Sequence, residues 1–144
     1  MDIEHEFVIA APMERVFSYF ATADGLCLWW PATASADARI DGRYHFGFDA
    51  AHQWGGVVRI YDAPNAIEFE MTDTDPMPDW RGTRVGARLS REGDATRLHF
   101  YHRGWPAATA HHRISSFCWS QYLRVLARHA TRGEFVPYER RDEL

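Results

Sequence analysis

The side chain with the clearest chemical potential is His102. It follows Leu98 and Phe100 at two-residue spacing, with Arg97, His99 and Tyr101 between them, so on a strand it shares the inward face. An imidazole in an apolar interior can act as a general base or hydrogen-bond a ligand carbonyl. The plainer reading is a core histidine satisfied by backbone near the turn that Gly104 signals. No serine, cysteine or carboxylate stands beside it. Ser116 and Ser120, on a later helical segment, are the hydroxyls that could reach the same interior.

The six tryptophans come next. Large aromatic side chains fill cores and also line pockets. In the pair Trp29-Trp30, one ring is expected beneath short helices and the other at a cavity mouth; the alternative is that both cap the core. Trp54, Trp80 and Trp105 fall near strand ends or loops, where such rings gate pockets or cover a sheet edge. His111-His112 and the scattered His5, His45, His52, His99 and His129 lack the tight HxxxH or HExxH spacing of zinc ligands, so no metal is expected. Gly55-Gly56 reads as a strand start, not a phosphate loop. Cys27 and Cys118 are too few and too far apart for a disulfide framework, and read as free thiols. All 16 basic residues are arginine, which rules out Schiff-base chemistry on a lysine amine.

A net charge of −4 gives no basic face for nucleic acid. No stretch reaches membrane-spanning length. The N-terminus, MDIEHEFVIAAP, lacks the pattern of a secretory leader, so a soluble, cytoplasmic protein is expected. The ending Arg141-Asp142-Glu143-Leu144 resembles a retention address and is read as chance.

These residues need elements to position them. Ile3 to Ile9 alternate as a half-buried strand, and Ala11-Pro12 ends it. Val16, Phe17 and Phe20 recur at helical spacing, with Pro12 at the first turn. Asp24-Gly25 is expected to break that helix, with a second short one over Leu26 to Trp30. From Pro31 the period is two: Tyr44, Phe46 and Phe48 after the turn signal Asp41-Gly42, Trp54 to Tyr61, then Ile67, Phe69 and Met71. Residues 72–79 read as a loop. Thr83, Val85, Ala87 and Leu89 form the next strand and Leu98 to His102 the last. From about 108 to 132 a long helix collects Cys118, Trp119, Tyr122, Leu123, Leu126 and Ala130 on one arc, and Arg113, Gln121, Arg124, Arg128 and Arg132 on the other. Gly133 should stop it. Phe117 falls among the arginines with no packing reason. The 144 residues suit one domain. The class is α+β: a curved antiparallel sheet of about seven strands around the terminal helix.

Several segments then resemble a known superfamily. They are Ala11-Pro12-Met13-Glu14-Arg15-Val16-Phe17, Trp29-Trp30, Asp41-Gly42-Arg43-Tyr44, Gly56-Val57-Val58, Pro64, Phe69, Leu98 to Gly104-Trp105, and Trp119, Leu123 and Leu126 before Gly133. In order and spacing they resemble the SRPBCC (START-like) superfamily, in the branch related to the activator of heat-shock protein 90 ATPase. Asp41-Gly42 stands where that family often has Gly-Gly. The resemblance implies a helix-grip fold with a cavity between sheet and helix. It does not imply one activity: members bind lipids and hydrophobic metabolites, catalyse cyclisation or dehydration, or act on chaperones. The eukaryotic co-chaperone carries a second, N-terminal domain that a lone domain over 1–144 does not match.

Strand parity and the helix arc give an expected cavity lining of Trp30, Phe46, Phe48, Val58, Phe69, Met71, Val85, Phe100, His102, Trp119 and Leu123. The leading expectation is a binder of a small apolar or aromatic molecule, with no cofactor. The enzyme alternative is a cyclase, dehydratase or hydrolase using His102 as base. The third is a co-chaperone or regulatory module with a protein partner. The residues leave the oligomeric state open.

Overall fold

The structure is a computed structural model that describes residues 1–143; Leu144, the last residue of the retention-like ending, lies outside the described residues.

The chain forms β1 (Ile3–Ile9), α1 (Met13–Ala21), α2 (Ala23–Leu26), β2 (Thr33–Ser35), β3 (Arg43–Asp49), β4 (His52–Asp62), β5 (Ala66–Asp73), β6 (Arg84–Glu92), β7 (Ala95–Arg103) and α3 (Ala110–Arg132). Single 3-10 segments cover Pro78–Trp80 and Tyr138–Glu143. The seven strands make one antiparallel sheet in the order β1-β7-β6-β5-β4-β3-β2. This is the curved sheet that alternation and the helix arc implied, in the helix-grip arrangement that the resemblance implied. Register shifts between Gly47 and Asp49, Gly55 and Gly56, and Val58 and Ile60 place bulges in β3–β5. Bulges raise local twist and let the sheet curve around a helix.

α3 lies across that curved face. Trp119, Leu123, Val125, Leu126 and Ala130 are buried, and each large apolar side chain so removed from water contributes roughly 1.5–3 kcal/mol. Its ends are set locally. The Thr109 side chain accepts from the His112 N–H, so the helix starts at Ala110, two residues after the expected start. Gly133 closes it in the left-handed region, φ 66°. Phe117, placed among arginines on the wheel, is 64% exposed.

The short helices differ from expectation. Asp24-Gly25 lies inside α2 and does not break the chain, because Thr22 Oγ1 accepts from the Gly25 N–H and caps the turn. Leu28, Trp29 and Trp30 follow the helix instead of forming it. Pro12 is the cap residue of α1, with Met13 the first helical residue. The segment read as a loop over 72–79 is shorter: β5 continues to Asp73, and Pro78–Trp80 is a 3-10 turn. No helix among the described residues is long and apolar enough to cross a membrane.

Candidate functional site

The side chains that strand parity turned inward lie inside the fold. Phe46, Val58, Phe69, Met71, Val85, Phe100 and His102 are all buried to 2% exposure or less. Their rings touch one another and their neighbours, with centroids 4.7 Å apart for Tyr44 and Phe69, 5.5 Å for Phe46 and Phe69, and 4.6 Å for Phe100 and Trp119. None of these seven side chains borders the cleft described below.

His102 belongs to that core. Trp119 Nε1–H donates to His102 Nδ1 at 3.1 Å. An indole nitrogen only donates, so Nδ1 holds no proton and Nε2 carries it. Nε2–H then donates to Thr83 Oγ1 at 2.8 Å, and the Thr83 hydroxyl donates to the Trp80 carbonyl. Burial, with a smaller contribution from the charge of His112, pushes the His102 pKa down to about 3. The ring is neutral, and both nitrogens are occupied. A general base needs a free lone pair directed at substrate, and His102 has none. Its partners are side chains from β7's surroundings and α3, not the backbone near Gly104.

The open space lies further along, at the end of the sheet. A cleft of about 280 Å³ is bounded by Trp30 after α2, Phe48 and Asp49 at the end of β3, His52 and Trp54 at the start of β4, and Met77 and Trp80 before β6. Ile114, Ser115, Cys118, Trp119 and Tyr122 of α3 and Tyr138 beyond it complete the wall. Of the eleven residues expected to line a cavity, Trp30, Phe48 and Trp119 do so here. Leu123 does not border this cleft; it lines a separate groove with His5, Phe7 and Ala127.

Trp80 is the hub. Its ring lies 4.8 Å from Trp54, 5.6 Å from Trp119 and 6.4 Å from Trp30, with His102 4.5 Å behind it. The indole N–H groups are spent within the protein: Trp80 donates to Ser115 Oγ at 3.1 Å, Trp54 to the Asp75 carbonyl at 2.9 Å, and Trp119 to His102. These three side chains therefore offer the cleft carbon surface. The polar pair at the mouth is Asp49 and His52, 2.8 Å apart. The hydrogen bond from His52 is the main cause holding the Asp49 carboxyl below its ordinary range. Burial pushes Tyr122 up to about 12, and burial with Asp142 nearby raises the Cys118 thiol, so Cys118 is a protonated thiol and not a ready nucleophile.

Of the Trp29-Trp30 pair, Trp29 packs against Phe20 of α1 and donates from Nε1 to the Tyr19 carbonyl at 2.8 Å, while Trp30 borders the cleft. Ser115, not Ser116 or Ser120, reaches the cleft; the Ser120 hydroxyl turns back to the Phe117 carbonyl. Trp54 and Trp80 carried a signal in the sequence, as rings at strand ends. Met77 and Tyr138 carried none, because no helix or strand was assigned where they sit, and Ile114 lay on the expected terminal helix but outside its apolar arc. No cluster of three or more metal-ligating side chains occurs among the described residues.

The profile of the family described as "Activator of Hsp90 ATPase homolog 1-like protein" matches residues 10–131. The chain belongs to that family. Within the family profile fall α1, α2, β2 to β7 and α3 as far as Thr131, while β1 precedes it; Tyr138 and the rest of the C-terminal segment follow its end. No curated protein matches the sequence. Among solved structures, the Aha1 dimer from Colwellia psychrerythraea superposes with a TM-score of 0.83 at 21% identity, covering 93% of this chain and 98% of that one. CalU16 from Micromonospora echinospora gives 0.70 at 19% identity, over 99% and 83%. DynU16, from the dynemicin biosynthetic locus, gives 0.77 at 16% identity, with 95% of this chain covering 49% of that one. At these identities the likeness is one of fold.

Proposed function

We propose that this family member binds a small, uncharged, flat aromatic molecule in the cleft between the β3–β4 end of the sheet and α3. The observation that carries the proposal is the wall itself. Trp54, Trp80 and Trp119 have their N–H groups satisfied internally, and the 280 Å³ they help enclose is at the small end of ligand sites. Stacking and area burial are what such a wall rewards. The fold likeness to a protein of the dynemicin biosynthetic locus is in keeping with this reading.

The test is a fluorescence titration with 1-aminoanthracene against the parent and Cys118→Phe. Cys118 is half-buried in the wall, so a phenyl ring there fills the cleft without entering the core. Binding by Cys118→Phe should be weaker than by the parent by about tenfold or more, which is 1.4 kcal/mol, with little change in melting temperature. Equal affinity in the two proteins would sink the cleft as the site.

A second reading rests on a different observation. Ile114 and Phe117 are exposed on α3, which carries Arg113, Arg124, Arg128 and Arg132 and no acidic residue. That surface suits an acidic protein partner, the regulatory alternative. Native mass spectrometry of the protein purified from its own host separates the two: a retained small molecule supports the cleft, and a stoichiometric acidic protein supports the surface.

A further inference from the structure

The wall of the cleft contributed by Tyr138 comes from beyond α3 and beyond the family match, which ends at residue 131. After Gly133 the chain turns back along α3, buries Val136, and forms the 3-10 segment Tyr138–Glu143. A segment this short has little core of its own, so something must hold it in place. That residue is Arg141, only 2% exposed. Burying a guanidinium is costly unless each donor finds an acceptor. Arg141 Nε donates to the Val136 carbonyl at 3.0 Å, Nη2 to the Cys27 carbonyl at 2.7 Å, and Nη1 to the Pro31 and Trp30 carbonyls at 3.4 and 3.5 Å. Among the described residues all its hydrogen-bond acceptors are thus main-chain oxygens. One belongs to the C-terminal segment and three belong to the turn that carries Trp30. The Tyr138 ring lies 5.7 Å below the same guanidinium.

Arg141 therefore joins two walls of the cleft, Trp30 and Tyr138, that are far apart in sequence. We infer that Arg141 is a latch: it holds the segment from residue 134 to 143 as a wall of the cleft, and thereby limits the size of molecule the cleft admits. The inference rests on the cleft being the ligand site for its second half only; the latch itself is a property of the free protein. The fork matters, since a planar array of donors meets carbonyls at fixed angles and a single ammonium cannot reach all four. Local opening of the latch exposes Cys118 and the cleft without unfolding the sheet.

The experiment compares the parent with Arg141→Met and Arg141→Lys. Cys118 alkylation by iodoacetamide, followed by peptide mapping so that Cys27 is scored apart, should accelerate by about tenfold in Arg141→Met, as expected for a local opening made more populated, and by less in Arg141→Lys. In Arg141→Met the four-ring 1-aminopyrene should gain affinity relative to the three-ring 1-aminoanthracene. Unchanged Cys118 alkylation overturns the latch. Faster alkylation with no change in probe preference overturns the size limit and leaves the latch standing. A parent that binds neither probe counts against the cleft as a ligand site, while the alkylation result still decides the latch. Should Arg141→Met fail to fold, hydrogen exchange on the parent decides: amides of 134–143 should exchange well ahead of those of α3 from 119 to 130, and exchange of both segments at one rate overturns the inference.

Discussion

His102 shows how far a single residue can be read from spacing. Its inward direction was legible, since Leu98, Phe100 and His102 alternate. Its partners were not, because Thr83 and Trp119 reach it only through the fold. A ligand contact and a structural residue at this position predict opposite effects of one substitution. In His102→Phe the Trp119 N–H loses its acceptor inside the core, which costs about 1–3 kcal/mol. The urea midpoint should fall accordingly, while 1-aminoanthracene affinity of the folded protein stays within about twofold. An unmoved midpoint with lost affinity would return His102 to the site. The same ring predicts a pH effect. Its pKa is lowered to about 3 in the fold, against about 6.5 in an unfolded chain. Between those values the unfolded state binds the extra proton, so stability is full above roughly pH 7.5 and declines as pH falls through 6.5. The slope is at most about 1.4 kcal/mol per pH unit. Urea midpoints at pH 7 and pH 5 should differ less in His102→Phe than in the parent; an equal difference would mean that the ring is not held neutral.

Elements were the most legible layer where one face is apolar and the other charged. β5 and β7 alternate cleanly and α3 has one apolar arc, so period alone located them. Reading failed where local hydrogen bonds decide. The Thr22 cap starts α2 earlier than the apolar pattern does, and the segment after Gly133 has no period, being held by Arg141. Two glycines show what elements demand of single positions. Gly86 on β6 lies under Tyr101, and a methyl group there would overlap the ring and hydroxyl. That hydroxyl donates to the buried Glu68 at 2.7 Å, which also accepts from Arg84 at 2.9 Å. Gly86→Ala must displace the ring and break into this network, so a loss of about 1–3 kcal/mol is expected. Gly133→Ala has open space but keeps φ at 66°, which costs a residue with a Cβ roughly 1 kcal/mol. Thermal melts should therefore rank Gly86→Ala below Gly133→Ala; the reverse order would mean that Tyr101 moves aside freely.

At the scale of the whole molecule, charge is distributed against its total. The chain carries −4, yet α3 has four arginines and no acidic residue over 23 positions. At 100° per residue, Arg113, Ile114, Phe117, Arg124, Arg128 and Arg132 fall within an arc of about 100°. Arg128 reaches Glu134 at 3.8 Å, beyond the helix. Exposed Ile114 and Phe117 would by themselves favour pairing of two copies. A two-fold contact along α3, however, sets one arginine stripe against the other with no helical carboxylate to pair with it. At low ionic strength that repulsion is little screened, so it opposes the modest area two side chains can bury. Sedimentation velocity at low salt should show no dimer formed through α3, with Phe117→Ser sedimenting like the parent. Raising the salt should weaken the repulsion and leave the apolar contact, so any self-association through this face increases with salt. A dimer present at low salt and abolished by Phe117→Ser would show that the apolar pair outweighs the arginines. It would also remove the charge argument for an acidic partner on α3.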